Sequence, residues 1–150
     1  MRVFDNLDAL AAAAGEHLGY SEWHTITQQQ VDTFADATGD HQWIHVDPAK
    51  AAQGPFGTTI AHGYLTLSLI PMLGKEIYRV DGISMGINYG LNKVRFPQPV
   101  TVGSKVRAGA ELAEVTEIDD GKQASLRLTI EIDGQGKPAC IAETVARLMR

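Results

Sequence analysis

A short stretch of this chain combines an acid, an imidazole and a later glycine in an arrangement suited to acid–base chemistry. Asp40 and His45 lie five residues apart, and His62-Gly63 follows at the start of a long apolar run. A carboxylate and an imidazole so spaced can share one hydrogen-bonded water and together remove its proton. The free N–H groups of a helix start can hold a developing oxyanion. The pattern therefore predicts a site for adding or removing water.

The segment 40–45 is predicted to be a loop held at both ends by helices. Thr27 with Gln30 is typical of a capping box that begins a helix, and Gly39 can end that helix. The pair Asp47-Pro48 is typical of an N-cap followed by proline at the first helical position. Both candidate catalytic side chains should therefore be fixed in place by their neighbours in the chain.

A second helix signal lies in the apolar run 64–73, which is apolar on nearly every face. Such a run is typical of a buried helix, here predicted from Gly63 to about Tyr78 and enclosed by the rest of the fold. Pro71 lacks an N–H donor and is expected to bend it. A shorter helix is predicted over 6–14, where leucines and alanines recur at helical spacing.

The remaining periodic segments predict strands. Residues 125–132 alternate with period two, and residues 105–112 nearly do so. Strands are also predicted over 22–26 and around 83–96. Turn residues separate the last three strands, which predicts an antiparallel meander with one solvent-exposed face. A buried helix followed by long antiparallel strands indicates an α+β fold in which the sheet curls around that helix.

Composition limits the function classes. With 150 residues, 44% of them hydrophobic, residues 1–150 fit one domain. The net charge of −5 is spread over interspersed acids and bases, which argues against nucleic acid or an anionic membrane as a partner. We expect a cytoplasmic protein, because neither a signal-peptide pattern nor a membrane-spanning run is present. The single cysteine, Cys140, excludes an internal disulfide and fits a small core residue.

The run from Phe34 to Asp40, together with His45, resembles the signature of the MaoC-like, (R)-specific enoyl-CoA hydratases. The usual family pattern is Gly-Asp-x-Asn-Pro-(aliphatic)-His. Gln42 and Trp43 occupy its Asn and Pro positions here, while the Asp, the aliphatic residue and the His are kept. The resemblance continues through residues 56–63 and 87–96, and so extends over nearly the whole chain.

The resemblance implies a hot-dog fold, in which an antiparallel sheet wraps a long central helix and commonly extends across a homodimer. It also implies reversible hydration of a trans-2-enoyl thioester, carried by coenzyme A or an acyl carrier protein, to a 3-hydroxyacyl thioester. Asp40 and His45 would activate the water, and the N–H of Gly63 would hold the thioester oxygen. No cofactor is expected, because the thioester itself activates the substrate.

Other polar residues are weaker candidates. Gln42, His62 and Asn88 can line the substrate pocket. The simpler interpretation of Gln42 and Asn88 is solvent exposure or capping of loop backbone. The simpler interpretation of His62 is a residue at the start of a helix whose side chain does no chemistry. Lys93 and Arg95 share one strand face and can meet coenzyme A phosphates, although such charges more often only solvate a sheet.

Three alternatives remain open from the sequence. Asp40, His41 and His45 could be imagined as metal ligands, but three close donors without a fourth make a weak pattern, and no metal is predicted. The same scaffold serves thioesterases, in which water attacks the carbonyl carbon. A non-catalytic subunit of a heteromeric dehydratase is the third alternative. The pairing of Asp40 with His45 favours the hydratase.

Overall fold

Long antiparallel strands in the second half of the chain carry the main sheet, in a computed structural model that describes all 150 residues. The strands are β1 (Arg2–Phe4), β2 (His17–Tyr20), β3 (His24–Thr25), β4 (Tyr78–Val80), β5 (Met85–Arg95), β6 (Lys105–Ile118), β7 (Gly121–Ile132) and β8 (Cys140–Met149). The helices are α1 (Leu7–Ala12), α2 (Gln28–Thr38), α3 (Trp43–Val46), α4 (Pro48–Ala52), α5 (Gly63–Ser68) and α6 (Ile70–Ile77).

The main sheet has the order β2-β6-β7-β8-β5, with β3 also paired to β6. All of its pairings are antiparallel, and β6, β7 and β8 form the predicted meander. Asp120 takes a positive φ of 58° in the turn between β6 and β7, a conformation that aspartate tolerates better than most residues. Burial alternates along β7, so one sheet face packs on the helices, as the period-two pattern predicts.

Several short strands of the structure are not predicted from the sequence. The prediction gave no strand at β2, and it missed the two-stranded parallel pair of β1 with β4. The strand predicted over 22–26 is only two residues long as β3. Two to four residues are too few to show a period, because their strand conformation comes from pairing with a distant partner.

The predicted central helix is interrupted at Leu69, and α5 and α6 replace the single helix expected from Gly63 to Tyr78. Pro71 follows this junction, and its missing N–H accounts for the expected bend. A buried stripe at helical spacing faces the sheet: Leu65, Leu69, Leu73 and Ile77. It packs through α5 on β8 and through α6 on β6.

The expectation that this helix is enclosed on all sides is wrong for the single chain. Tyr64 is 71% exposed and Met72 is 41% exposed. The sheet covers only the side that carries the leucine stripe, so the opposite side of an all-apolar helix is left in contact with solvent.

The flanks of the candidate site follow the predicted capping pattern. Thr27 Oγ1 accepts the N–H of Gln30 at the start of α2, and Gly39 ends that helix with a left-handed φ of 83°. Asp47 caps α4 through the N–H of Lys50. The predicted loop needs one correction, because residues 43–46 form the helical turn α3. His45 therefore lies on a helix rather than on a loop.

Two smaller findings concern the rest of the chain. Cys140 is fully buried on β8, and burial raises the pKa of its thiol to about 11, which fits an inert core residue. None of the helices combines the length and the apolarity needed to cross a membrane.

Candidate active site

His45 is the buried imidazole of the site. Its Nδ1 lies 2.7 Å from the main-chain oxygen of Ile60. A carbonyl oxygen can only accept, so Nδ1 carries the proton and the lone pair resides on Nε2. Burial lowers the pKa of His45 from its ordinary value of 6.5, and the facing His62 lowers it further, against the Ile60 hydrogen bond and the charge of Asp40. A neutral imidazole with a free Nε2 can act as a base at neutral pH.

Asp40 brings a carboxylate to this imidazole from the exposed side. A carboxylate oxygen of Asp40 and a ring nitrogen from each of His45 and His62 all lie within 4.8 Å of one another. Two hydrogen bonds of about 2.8 Å each allow one water to bridge atoms up to about 5.6 Å apart. The predicted pairing of Asp40 with His45 around one water is therefore geometrically available.

His62 lies beneath both of these residues and is only 2% exposed. Its Nε2 donates to the main-chain oxygen of Asp40 over 2.9 Å. Its ring stacks on that of His45, with centroids 3.8 Å apart and planes inclined by 23°. Phe34 of α2 packs against the same imidazole at a centroid distance of 4.9 Å. The Nδ1 of His62 is buried and has no hydrogen-bond partner.

Asp40, His45 and His62 carry side chains of the types that bind metal ions, and they lie close enough together to be considered as a metal site. The lone pair of an imidazole nitrogen lies in the plane of its ring. Two stacked rings that are nearly parallel present their lone pairs side by side instead of converging on one ion. The stacked geometry therefore does not suit a shared metal. The sequence alternative that included His41 also finds no support, because that side chain bonds to Asp36 at 2.9 Å.

A side-chain amide from α2 holds the main chain at His45. Gln28 Nε2 donates to the main-chain oxygen of His45 over 2.8 Å and to Asp32 Oδ1 over 2.8 Å. Its Oε1 accepts the hydroxyl of the buried Thr59 over 2.5 Å. Gln28 thus ties the start of α2 to the helical turn that carries the imidazole and to the segment that leads into α5.

Gly63 begins α5, directly after His62. Its N–H donates to no acceptor within the chain. A Cβ at this position would lie 3.1 Å from the ring of Phe96, so the close approach of that ring favours glycine. The predicted oxyanion donor is therefore a free N–H adjacent to the Asp40 and His45 pair.

The other predicted site residues lie at the periphery. The main-chain N–H of Gln42 contacts Asp40 Oδ1 at 3.3 Å, while its side chain is exposed. Asn88, Lys93 and Arg95 are exposed on β5 and have no hydrogen bond or ion pair to the Asp40 cluster. The structure therefore brings together Asp40, His45, His62 and Gly63, and gives the three β5 side chains no hydrogen bond or ion pair with them.

Sequence reasoning missed the residues that hold the imidazole. Ile60 acts through its main-chain oxygen. Every residue has such an oxygen, so the residue type at position 60 does not indicate this role. Gln28 and Phe34 lie far from His45 or His62 along the chain and meet them only through the packing of α2. Phe34 was visible as one position of a helical face, but that pattern does not show what the face contacts.

An open groove of about 490 Å³ adjoins the cluster between α2 and α5. Phe34 and Leu65 form part of its wall, and Phe34 is shared with the packing around His62. The other lining residues are small or polar: Thr27, Gln29, Gln30, Thr33 and Ala37.

Comparisons with known proteins agree over nearly the whole chain. A family model described as "MaoC like domain" matches residues 9–132. The 3-hydroxyacyl-thioester dehydratase Z of Mycobacterium tuberculosis is 59% identical over 148 residues, covering 98% of each chain. The solved (R)-hydratase of Aeromonas caviae is 31% identical with a TM-score of 0.73, covering 90% of this chain and 96% of its own. A monoamine oxidase regulatory protein from Archaeoglobus has a TM-score of 0.79 at 25% identity, covering 99% and 97%.

Proposed function

The chain belongs to the MaoC-like domain family and has its hot-dog fold, and from this membership we propose that it is a hydratase. It adds water reversibly to a trans-2-enoyl-CoA and gives an (R)-3-hydroxyacyl-CoA. The names of two relatives support this reaction class, since one is a 3-hydroxyacyl-thioester dehydratase and the other an (R)-specific enoyl-CoA hydratase. The observation that carries the proposal is the buried His45, whose Nδ1 is bound to Ile60 and whose ring has a nitrogen within 4.8 Å of the Asp40 carboxylate.

In the proposed mechanism Asp40 and His45 hold one water between them. As the water oxygen forms its bond to C3, one proton passes to the Asp40–His45 pair. The π electrons of the C2–C3 double bond move towards C1, and negative charge develops on the thioester oxygen. The N–H of Gly63 stabilises that charge, which is present only in the transition state and the enolate. C2 then takes one proton back from the pair, so that the sum is the addition of one water.

The proposed chemistry needs no dissociable cofactor, because the thioester carbonyl itself activates the double bond. We assign residues 1–150 to one hydratase domain. The family match ends at residue 132, yet β8 lies between β7 and β5 and completes the sheet. The sheet that packs on α5 and α6 therefore includes residues beyond the match.

We propose that Gln42 and Asn88 contact the substrate without taking part in the reaction. Lys93 and Arg95 are proposed to bind the coenzyme A phosphates. The two cations have exposed side chains and no carboxylate partner. Arg107, by contrast, is bound to Glu131 over 2.8 Å and lies over the rings of Tyr20 and Trp23, so its charge is already engaged. Replacing Lys93 and Arg95 by alanine should raise KM for a coenzyme A thioester but not for a short pantetheine thioester.

The proposed assembly is a homodimer joined through β5. This strand is at the edge of the main sheet and is exposed along nearly its whole length. It presents large apolar side chains at 44–57% exposure: Met85, Ile87, Tyr89 and Leu91. A long apolar edge strand is a template for pairing with another strand. Light scattering should give twice the chain mass, and Ile87→Lys should shift it towards the single-chain mass, whereas a monomeric wild-type protein would contradict the assignment.

The experiment that tests the function is an assay of the purified protein with crotonyl-CoA. Hydration removes the enone absorbance without releasing a free thiol, whereas thioesterase action releases coenzyme A. Chiral chromatography of the hydrolysed product should give the (R)-3-hydroxy acid. Thiol release in place of hydration would establish the thioesterase alternative, and the (S) product would contradict the proposed stereochemistry. A protein that binds the thioester and leaves it unchanged would be the non-catalytic subunit.

A further inference from the structure

We propose that His62 is a positioning residue for the water-activating pair: its imidazole fixes the main chain of Asp40 and one ring face of His45 at the same time. This inference rests on the proposed hydratase function, because it assigns His62 a role in that reaction. His62 does not itself contact the substrate. It is buried beneath the two residues that do.

The hold on Asp40 is a single directed hydrogen bond. The Nε2–H of His62 donates to the main-chain oxygen of Asp40, across 22 residues of sequence. That oxygen and the N–H of Asp40 have no other hydrogen-bond partner within the chain. Asp40 itself is exposed and follows the left-handed Gly39, and the N–H of Gln42 contacts its carboxylate at 3.3 Å. The imidazole of His62 adds the one hydrogen bond that ties the main chain of Asp40 to a distant part of the fold.

The hold on His45 is a stacking contact. One face of the His45 ring is covered by His62 at 3.8 Å, while its Nδ1–H is bound to Ile60. An edge contact and a face contact together prevent the ring from rotating about its side-chain bonds. The Nε2 of His45 then keeps one direction, which a base needs if it is to meet a single bound water.

The unpartnered Nδ1 of His62 shows why packing alone does not explain this residue. A buried polar atom without a hydrogen bond destabilises a protein, because it loses its contact with water and gains none in return. Phenylalanine would fill a similar space without that cost. Histidine provides, in a side chain of this size, a flat ring for stacking together with an N–H at the position that meets the Asp40 oxygen. The unsatisfied Nδ1 is therefore the cost of having the stacking ring and the N–H donor in one side chain.

A direct role in proton transfer is excluded by the same geometry. The Nε2–H of His62 is committed to a carbonyl oxygen, and Nδ1 is closed off from solvent. A proton added to Nδ1 would be buried without an acceptor. The remaining role is to hold the two neighbours that carry out the chemistry.

Two substitutions separate the hydrogen bond to Asp40 from the stacking contact with His45. His62→Phe keeps a flat ring against His45 and loses the N–H donor, whereas His62→Gln keeps a donor and loses the flat ring. Each should lower kcat for crotonyl-CoA hydration by about ten- to a hundredfold, the scale of a misplaced catalytic group. KM should change by less than about threefold, because the substrate does not contact His62. Wild-type kcat in either folded variant, or a loss seen only in KM, would overturn the proposal.

Leu69→Val provides the matched control for packing. Leu69 is buried at the junction between α5 and α6, about 10 Å further along the chain at 1.5 Å per residue. It should lower the melting temperature, because it removes part of a buried side chain, while leaving kcat unchanged. If kcat falls equally in Leu69→Val, the effect of His62 is general destabilisation and the proposal fails.

A measurement independent of activity tests the geometry itself. Nitrogen-15 spectra of the imidazoles in the wild-type protein should show opposite tautomers, with the proton on Nε2 of His62 and on Nδ1 of His45. A proton on Nδ1 of His62 would remove the bond to Asp40 and overturn the inference even in an active enzyme. If the tautomers are as expected but the wild-type protein does not hydrate enoyl thioesters, the proposed function fails and takes the catalytic role of His62 with it.

Discussion

The Nδ1–H of His45 donates to the main-chain oxygen of Ile60 over 2.7 Å, and this bond decides which nitrogen can act as a base. With Nδ1 committed, the lone pair of the imidazole is on Nε2. The acceptor is a main-chain carbonyl rather than a carboxylate, so the ring is oriented without being paired to a buried negative charge. Burial then favours the neutral imidazole, which is the form that can accept a proton.

The lowered pKa of His45 predicts the pH profile of hydration. Because the imidazole must be neutral to accept a proton, kcat/KM should fall as the pH drops through the lowered pKa of His45. The acid limb should therefore have an apparent pKa below the ordinary value of 6.5. Rates of crotonyl-CoA hydration between pH 4.5 and 8 measure it. An acid limb centred above pH 6.5 would mean that a different group is titrating.

Removal of either member of the pair should abolish most of the hydration. Asp40→Asn and His45→Gln should each lower kcat by roughly a hundredfold or more, the effect of losing a general acid–base group. The double variant should be little worse than the poorer single one, because the two act on one water. His41→Gln is the control, since this neighbouring histidine is exposed and bound to Asp36. Near-normal turnover in Asp40→Asn or His45→Gln would remove the mechanism.

The sequence predicted the parts of this site that depend on local signals. Thr27, Gly39 and Asp47 fixed the helix ends around Asp40 because capping is a matter of adjacent residues. The period-two pattern of β7 located the buried sheet face for the same reason. Contacts between distant segments left no such signal. The stacking of His45 on His62 depends on how α3 meets α5, which no local pattern encodes.

The core helix predicts a contrast in stability between two adjacent residues. Leu73 is fully buried on α6, while Met72 beside it is 41% exposed. Leu73→Ala should lower the free energy of unfolding by about 2–5 kcal/mol, as large-to-small core substitutions do. Met72→Ala should change it by less than about 1 kcal/mol in the single chain. Urea unfolding measures both. An equal loss in the two variants would indicate that Met72 is buried in an assembly.

The amide of Gln28 should matter for turnover although it is remote from the water. Gln28→Met keeps the length of the side chain but leaves the main-chain oxygen of His45 without its donor. The turn that carries the imidazole should loosen, and kcat should fall by about tenfold with little change in KM. Asp32→Ala is the control, because it removes only the exposed bond of the same amide. Equal kcat in both variants would show that the bond to His45 is dispensable.

The role of Gly63 can be tested by comparing alanine, which keeps the N–H, with proline, whose ring replaces it. Both alanine and proline add a Cβ, which meets the ring of Phe96 at 3.1 Å. Only proline also removes the N–H, and the first residue of a helix is the position at which proline is best tolerated. His62 before it has φ −60° and ψ 139°, the extended conformation that a residue preceding proline requires. The comparison therefore holds the Cβ contact with Phe96 constant while the N–H donor is replaced by the proline ring.

If the N–H of Gly63 holds the thioester oxygen, Gly63→Pro should have a kcat roughly a hundredfold below that of Gly63→Ala, the scale of losing one oxyanion donor. KM should differ much less between the two, because the charge on that oxygen develops only in the transition state. Melting temperatures of the two variants should agree, since the free N–H supports no bond within the fold. Equal kcat values at equal stability would show that the thioester oxygen is held elsewhere. Thioesterase chemistry, with water beside the carbonyl carbon, would then become the better account of the Asp40 and His45 pair.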